Sequence, residues 1–135
     1  MQLARKIPVP PIHGSNDDLK TALCRVLFGI GEAWGLGQND LAGILHRRSS
    51  TISDWKTNEA VSVSQENPSP NDTQIYEFIE FYDSVSSLFV RVEDQVGWLR
   101  AASPDFGGKS PLDLLKINSK NQFVLREWVD HLARP

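Results

Sequence analysis

Apolar residues in this chain recur at helical spacing almost throughout, and several of the runs follow a residue pattern that starts a helix. The clearest run lies between Leu19 and Trp34 and consists of Leu19, Leu23, Val26, Leu27, Ile30 and Trp34. Its members are three or four residues apart, as on one face of an α-helix. Ser15 and Asp18 form a predicted capping box before the run, and Gly35 follows it. No segment of useful length alternates like a strand. The sequence therefore predicts an all-α fold.

Two short helices and one long helix are predicted next. The short ones are expected from about Gln38 to Leu45 and from about Ser50 to Lys56. Ser69-Pro70-Asn71-Asp72 predicts the start of the long helix, because a hydroxyl, a proline and a carboxylate stand in the order that a helix N-terminus favours. The apolar stripe of this helix comprises Ile75, Phe78, Ile79, Tyr82, Val85, Leu88, Phe89 and Val92.

Three more helices are predicted in the last third of the chain. A short helix carries Trp98 and ends near Ser103. Ser110 is the predicted N-cap of the following helix, with Pro111 at the first helical position and Asp113 over the free amides. The terminal helix is expected to pack against the core through Val124, Leu125, Trp128, Val129 and Leu132.

The stretch Gly107-Gly108-Lys109-Ser110 matches the last residues of a phosphate-binding loop motif. Such a loop needs an earlier glycine at position 103, which is Ser here, and it must follow a buried strand. We therefore interpret the stretch as structural: the glycines let the chain reverse, and Ser110 starts a helix.

Composition and residue pairing favour a non-enzymatic cytoplasmic protein. Cys24 is the single cysteine, so it cannot form an internal disulfide, and its apolar surroundings predict a buried, inert thiol. The three histidines lie too far apart to suggest a metal site. No paired carboxylates, Cys–His pair or Ser–His–Asp set suggests catalysis, and we expect no catalytic residues and no cofactor. No apolar run approaches the roughly 20 residues that cross a bilayer, so no membrane contact is expected.

The charges are distributed unevenly along the chain. The net charge is −3, but residues 1–56 carry seven Lys or Arg against five Asp or Glu, whereas residues 57–135 carry seven against twelve. Two surfaces with different partners would explain this, although solvated faces alone could also produce it. The segment 58–70 is polar and rich in Ser and Pro, which predicts a linker between an N-terminal domain, 1–57, and a C-terminal domain, 71–135.

The stretch Leu36 to Lys56 has the pattern of a helix-turn-helix. Leu41, Ala42 and Leu45 face inward on the first helix, and the small alanine permits a close crossing with the second helix, where Ile52 and Trp55 face inward. Together with Gln38 and the Ser/Thr-rich second helix, this resembles the Xre-type helix-turn-helix. His46 stands where that family usually has glycine, so we expect a left-handed backbone there.

The resemblance implies that the second helix enters the major groove of operator DNA. The residues that it assigns to DNA binding are Gln38, Arg47, Arg48, Ser49, Ser50, Thr51, Ser53 and Lys56. The alternative is an ordinary helical hairpin with a solvated Arg-Arg turn.

A second resemblance concerns residues 98–115. Trp98-Leu99-Arg100, a spacer, and then Phe106-Gly107-Gly108-Lys109-Ser110-Pro111-Leu112-Asp113-Leu114-Leu115 are similar to the toxin-binding domain of Xre/MbcA/ParS-type antitoxins. With the helix-turn-helix in front of it, the resemblance covers about Leu36 to the C-terminus. The residues taken as candidates for toxin binding are Trp98, Arg100, Phe106, Lys109, Trp128, His131, Arg134 and Pro135.

The combined resemblance implies an antitoxin of a type II system. Its expected partners are a RES-domain toxin that consumes NAD, whose active site it occludes, and operator DNA, which it represses as a homodimer. An inhibitor of a pocket for the anionic pyrophosphate should offer negative charge, which the acidic C-terminal half and the chain terminus supply. Residues 1–57 are then expected to be dispensable for neutralisation. The alternative functions are a stand-alone transcriptional regulator with a C-terminal dimerisation domain and a structural adaptor without a DNA role.

Overall fold

The computed structural model describes residues 16–62 and 70–133. Within these ranges the chain forms seven α-helices, a single turn of 3-10 helix at Pro104–Phe106 and no sheet, which confirms the all-α prediction. None of the described helices is long and apolar enough to cross a bilayer. The helices are α1 (Asn16–Trp34), α2 (Gln38–Leu45), α3 (Ser49–Asn58), α4 (Pro70–Leu88), α5 (Val92–Arg100), α6 (Pro111–Ile117) and α7 (Asn121–Ala133).

Local signals placed most helix ends correctly. α1 ends before Gly35, which has a φ of +66°, and α2 has the predicted bounds. α3 is longer than predicted by one residue at its start and two at its end. At α6 the predicted capping box is present, because the Asp113 amide donates to Ser110 Oγ over 3.1 Å and the Ser110 amide donates to Asp113 Oδ2 over 3.4 Å. The capping box predicted at Ser15 lies outside the described residues.

The long helix predicted to carry Val92 is shorter than expected. α4 ends at Leu88, and Val92 is the first residue of α5. The side chain of Gln95, in α5, is fully buried just beyond the break: its Nε2 donates to the Phe89 carbonyl over 2.8 Å and its Oε1 accepts from Trp34 Nε1 over 2.9 Å. These two hydrogen bonds stabilise the turn between α4 and α5.

One hydrophobic core includes residues from both sides of the predicted linker. Trp34 at the end of α1 inserts among three aromatic side chains of α4, with ring centroids 6.1 Å from Phe78, 6.0 Å from Phe81 and 4.9 Å from Tyr82. Trp34 and these three rings are almost completely buried. Burial raises the pKa of the Tyr82 phenol to about 12, with a smaller contribution from the neighbouring Asp83 carboxylate.

The start of the predicted linker packs onto the N-terminal helices. Val61 is buried, and its amide donates to the Lys20 carbonyl of α1 over 3.2 Å. Cys24 is buried too, as the sequence predicted, and its thiol donates to the Trp55 carbonyl over 3.4 Å. Burial, and secondarily the Glu59 carboxylate, raises the pKa of this thiol.

The face that α7 buries differs from the predicted one. Leu125 and Val129 lie in the core and Trp128 is half-buried, but Val124 is 60% exposed and Leu132 is 49% exposed. Gln122 is buried in their place, so the inward stripe has the spacing Gln122, Leu125, Val129. α7 makes its most extensive contacts with α4 and α6, and Trp98 of α5 stacks on Trp128, whereas Val124 and Leu132 remain exposed.

Candidate functional site

The turn between α2 and α3 has the left-handed backbone predicted at His46. That residue has φ 54° and ψ 44°, and the following amide, of Arg47, donates to the Ala42 carbonyl over 3.0 Å. His46 Nε2 lies 3.1 Å from the Leu115 carbonyl oxygen of α6. A carbonyl only accepts, so Nε2 is the donor of this hydrogen bond. A glycine at this position would have the backbone freedom but not the contact with α6.

The N-termini of α2 and α3 are held together by side-chain hydrogen bonds. Gln38 Nε2 donates to the Ser49 carbonyl over 2.9 Å and to Ser49 Oγ over 2.8 Å. Ser49 Oγ in turn donates to Asn39 Oδ1 over 2.9 Å. Gln38 and Ser49, both predicted DNA contacts, therefore also fix the position of one helix relative to the other.

The outward face of α3 is polar and carries little positive charge. Ser50, Asp54 and Thr57 are exposed along it, while the predicted contacts Thr51 and Ser53 are half-buried. Positive charge is concentrated at the N-terminal end of α3, where Arg48 is exposed and the guanidinium of half-buried Arg47 lies 5.4 Å from the centre of the Trp55 ring.

Lys56 lies away from the arginines of this surface. It is exposed, but it lines two hollows on the α1 side of α3, together with Phe28. The structure thus places Arg47, Arg48 and Ser50 near one another at the start of α3, and it places Lys56 between α3 and α1. The sequence pattern could not reveal this, because Lys56 follows Ser50 by less than two helical turns and the separation depends on which face packs.

A second candidate surface is made of three aromatic side chains that contact one another in a row and come from three different segments, and we call it the aromatic ladder: Trp98, Trp128 and Phe106. The rings of Trp98 and Trp128 are stacked with centroids 5.9 Å apart and an interplanar angle of 16°. Phe106 meets Trp128 edge-on at 5.2 Å. All three side chains are half-buried, with Trp98 also 6.2 Å from Phe81 and 6.0 Å from Phe89 in the core.

Exposed apolar side chains extend the aromatic ladder along α7. Val124 and Leu132 stand one turn before and one turn after Trp128, so the three form a single stripe. His131 is exposed beside it. We call Val124, Trp128 and Leu132 the α7 patch. The sequence analysis missed Val124 and Leu132 as surface residues, because their spacing also fits a core stripe.

The Gly-Gly loop connects Phe106 to the start of α6. Gly107 and Gly108 have φ of +65° and +81°. The two ends of the loop are joined by a backbone hydrogen bond, in which the Ser103 amide donates to the Lys109 carbonyl over 3.1 Å. The side chain of Lys109 is exposed. Arg100 lies elsewhere, because its guanidinium donates to the Gly35 carbonyl at the end of α1 over 3.0 Å. Arg134 and Pro135, two further predicted contacts, lie outside the described residues.

The sequence matches no protein-family model and no curated protein. The fold does have a solved counterpart. It is similar to a chain in the crystal structure of the M. tuberculosis MbcT–MbcA toxin–antitoxin complex, with a TM-score of 0.58 and 15% sequence identity, over 82% of this chain and 93% of that chain. The two chains therefore share an arrangement of helices that extends over most of both molecules.

Proposed function

We propose that this chain is the antitoxin of a type II toxin–antitoxin pair, without catalytic activity of its own. The observation that carries the proposal is the α7 patch beside the aromatic ladder, on a fold similar to that of a chain in a toxin–antitoxin complex. Tryptophan is enriched in protein-binding hot spots, and the exposed valine and leucine beside the half-buried tryptophans form an apolar patch of the kind that marks an interaction site. The proposed partner is a RES-domain toxin, and the proposed effect is occlusion of its NAD pocket.

The second part of the proposal is operator binding through α3. The turn geometry at His46 and the hydrogen bonds of Gln38 support a helix-turn-helix, and Arg48 and Ser50 are the exposed groups nearest its leading end. With Asp54 on the outward face, the arginines at the start of α3 are the proposed charged phosphate contacts. The affinity for DNA should therefore depend strongly on salt concentration.

The toxin-binding part is tested by growth rescue on co-expression with a RES-domain toxin from an adjacent reading frame. Val124→Glu places a carboxylate in the α7 patch and should abolish rescue and co-purification, while the melting temperature stays unchanged because the side chain is mostly exposed. Phe123→Glu is the matched control, since Phe123 is 55% exposed on the side of α7 where Arg126 lies near its ring. Rescue by Val124→Glu at wild-type level would contradict the proposal.

The DNA-binding part is tested by retardation of the promoter upstream of the gene. Arg48→Ala should weaken binding and reduce its salt dependence, and the Arg47→Ala, Arg48→Ala double variant should remove specific retardation. Each lost base contact would cost about 1–3 kcal/mol. Because Arg47 also packs on Trp55, the melting temperature of the double variant needs to be measured in parallel. Unchanged retardation by the folded double variant would refute this part.

A stand-alone transcriptional regulator is the second candidate function. The contact between α2 and α3 is formed within this chain, which supports DNA binding without a toxin. In that case the α7 patch would serve dimerisation. The two candidates differ in one result: Val124→Glu would then change the oligomeric state in the absence of any toxin, and no RES-domain protein would co-purify with the wild type.

A further inference from the structure

A surface between α1 and α3 is separate from the α7 patch and from the arginines at the start of α3, although Gln38 and Lys56, two of the predicted DNA contacts, border it. Two hollows flank Phe28 there, one of about 200 Å³ and one of about 320 Å³. The smaller is lined by Thr21, Cys24, Arg25, Phe28, Lys56 and Glu59, and the larger has an apolar floor of Gly31, Leu36 and Leu41 next to the same phenylalanine. Phe28 is thus a half-buried ridge between two depressions, which is a shape that a second apolar ridge can fill.

The charges on this surface balance. Arg25 and Lys56 are exposed cations, and Glu32 and Glu59 are exposed anions that line the same hollows. Neither Arg25 nor Glu32 forms an ion pair within the described part of the chain. A surface of mixed sign does not suit a polyanion such as DNA, whereas it suits a protein surface of the same mixed composition.

The spacing along α1 makes this surface complementary to itself. Arg25 precedes Phe28 by three residues and Glu32 follows it by four, so all three lie on one face of the helix. If a second copy of α1 lies antiparallel across a two-fold axis close to Phe28, each Arg25 is opposite the Glu32 of the other copy. The two phenylalanines then meet near the axis. A Cβ built on the neighbouring Gly29 meets no atom within 4 Å, so the two helices can approach closely there.

We infer that this face of α1, comprising Arg25, Phe28 and Glu32, is the surface through which two copies of this chain associate. The apolar contact that the two Phe28 side chains make with each other and with the edges of the hollows supplies most of the attraction, and the two reciprocal charge pairs determine the antiparallel register. The inference goes beyond the proposed function and does not depend on it, because self-association can be measured without toxin or DNA. It leaves the α7 patch free for a partner.

The experiment is a charge swap measured by sedimentation equilibrium on the full chain. In the Arg25→Glu variant each new Glu faces the Glu32 of the other copy, and in the Glu32→Arg variant each new Arg faces the other copy's Arg25. Both homodimers therefore contain two repulsive pairs, and each variant alone should dimerise about ten-fold to a hundred-fold more weakly than the wild type. An equimolar mixture of the two variants should form a heterodimer, because one copy then carries Glu at both positions and the other Arg at both. The double variant with both changes should again form a homodimer.

Lys120→Glu, an exposed charge reversal in the loop before α7, is the control and should dimerise like the wild type.

The mixing arm distinguishes the interface from misfolding, since a misfolded variant could not be rescued by its counterpart. A wild type that stays monomeric at all concentrations would overturn the inference. A dimer that withstands both single variants would also overturn it, because the contact would then lie elsewhere, as on the α7 patch. Failure of the mixed variants to pair would do the same. None of these results bears on toxin neutralisation, which the rescue assay measures separately.

Discussion

Lys116 Nζ lies 2.6 Å from Asp40 Oδ1 and joins α6 to the first turn of α2 across 76 residues of sequence. The other oxygen of the Asp40 carboxylate accepts from the Gly37 amide over 3.1 Å, so a single side chain caps α2 and holds α6. The Lys116 stem crosses Gly43, where a Cβ would lie 3.1 Å from its Cγ. The first helix of the predicted DNA-binding motif is therefore packed directly on the helix that begins at the Gly-Gly loop.

Removing the Lys116 charge is expected to lower stability in a pH-dependent way. Lys116→Met keeps the stem over Gly43 but removes the partner of Asp40, and for a partly exposed pair the cost should be about 0.5–1 kcal/mol in urea unfolding near neutral pH. The hydrogen bond from Lys116, and less strongly that from Gly37, lowers the pKa of Asp40 from its ordinary value of 3.8, although burial opposes this.

The sign of the pH dependence follows from this lowered pKa. A carboxyl whose pKa is lower in the folded state contributes stability that is fully present above the unfolded-state value and is lost as pH falls through the folded-state value. The difference between wild type and Lys116→Met should therefore shrink below about pH 4. Arg91→Met, which removes the exposed pair of Arg91 with Glu93, is the control and should have no measurable effect. A difference that stays constant down to pH 2 would argue against the pair.

Glycine substitutions at His46 and Glu59, the two non-glycine residues with a left-handed backbone in the described part of the chain, should have different effects. Glu59 has φ 56° at the end of α3, and Glu59→Gly should stabilise the protein by about 0.5–1 kcal/mol because glycine adopts this backbone without steric cost. His46 has φ 54°, but its Nε2 also donates to the Leu115 carbonyl. His46→Gly should therefore gain less, or lose stability, since that carbonyl loses its partner. Equal gains in melting temperature for both variants would show that the contact with α6 contributes nothing.

A fragment that begins at Ser69 is expected to fold poorly, which revises the expectation that residues 1–57 are dispensable for neutralisation. Without α1, the fully buried rings of Phe78 and Phe81 lose Trp34, and Gln95 loses a hydrogen-bond partner. In the full chain, Trp34→Ala should cost about 3–5 kcal/mol in urea unfolding. A Ser69 fragment that unfolds cooperatively and rescues growth from the toxin would show that the C-terminal domain is independent after all.

Deletion of residues 132–135 should weaken toxin binding while leaving helical content and promoter retardation almost intact. Leu132 is half-exposed at the end of the α7 patch, so its removal takes contact area from a partner rather than from the core. Thermal melting separates the possible causes. An unchanged midpoint with lost inhibition supports direct contact, and a midpoint that falls in step with inhibition supports loss of the last helical turn. Undiminished inhibition would refute the prediction.

Local chemistry in the sequence was sufficient to predict the helices and most of their ends. The capping box of Ser110 with Asp113, the glycine after Trp34 and the left-handed turn at His46 each depend on a few neighbouring residues, and the structure has all three. The candidate binding residues of α3 and of the aromatic ladder could be named for the same reason, because a motif of neighbouring residues can be recognised in the sequence without the fold.

Only the tertiary structure decided which faces those helices bury and where α4 stops. Gln95, just beyond the end of α4, is hydrogen-bonded to Trp34, a residue 61 positions away, and no local pattern in the sequence spans that separation. Val124 and Leu132 have core-like spacing, yet α4 and α6 contact the stripe beside them and leave both exposed. Apolar spacing defines a face on a helix, but burial of that face depends on packing partners that are distant in the sequence. The contact between Asp40 and Lys116 has the same origin, because two helices must first pack before their charges can meet.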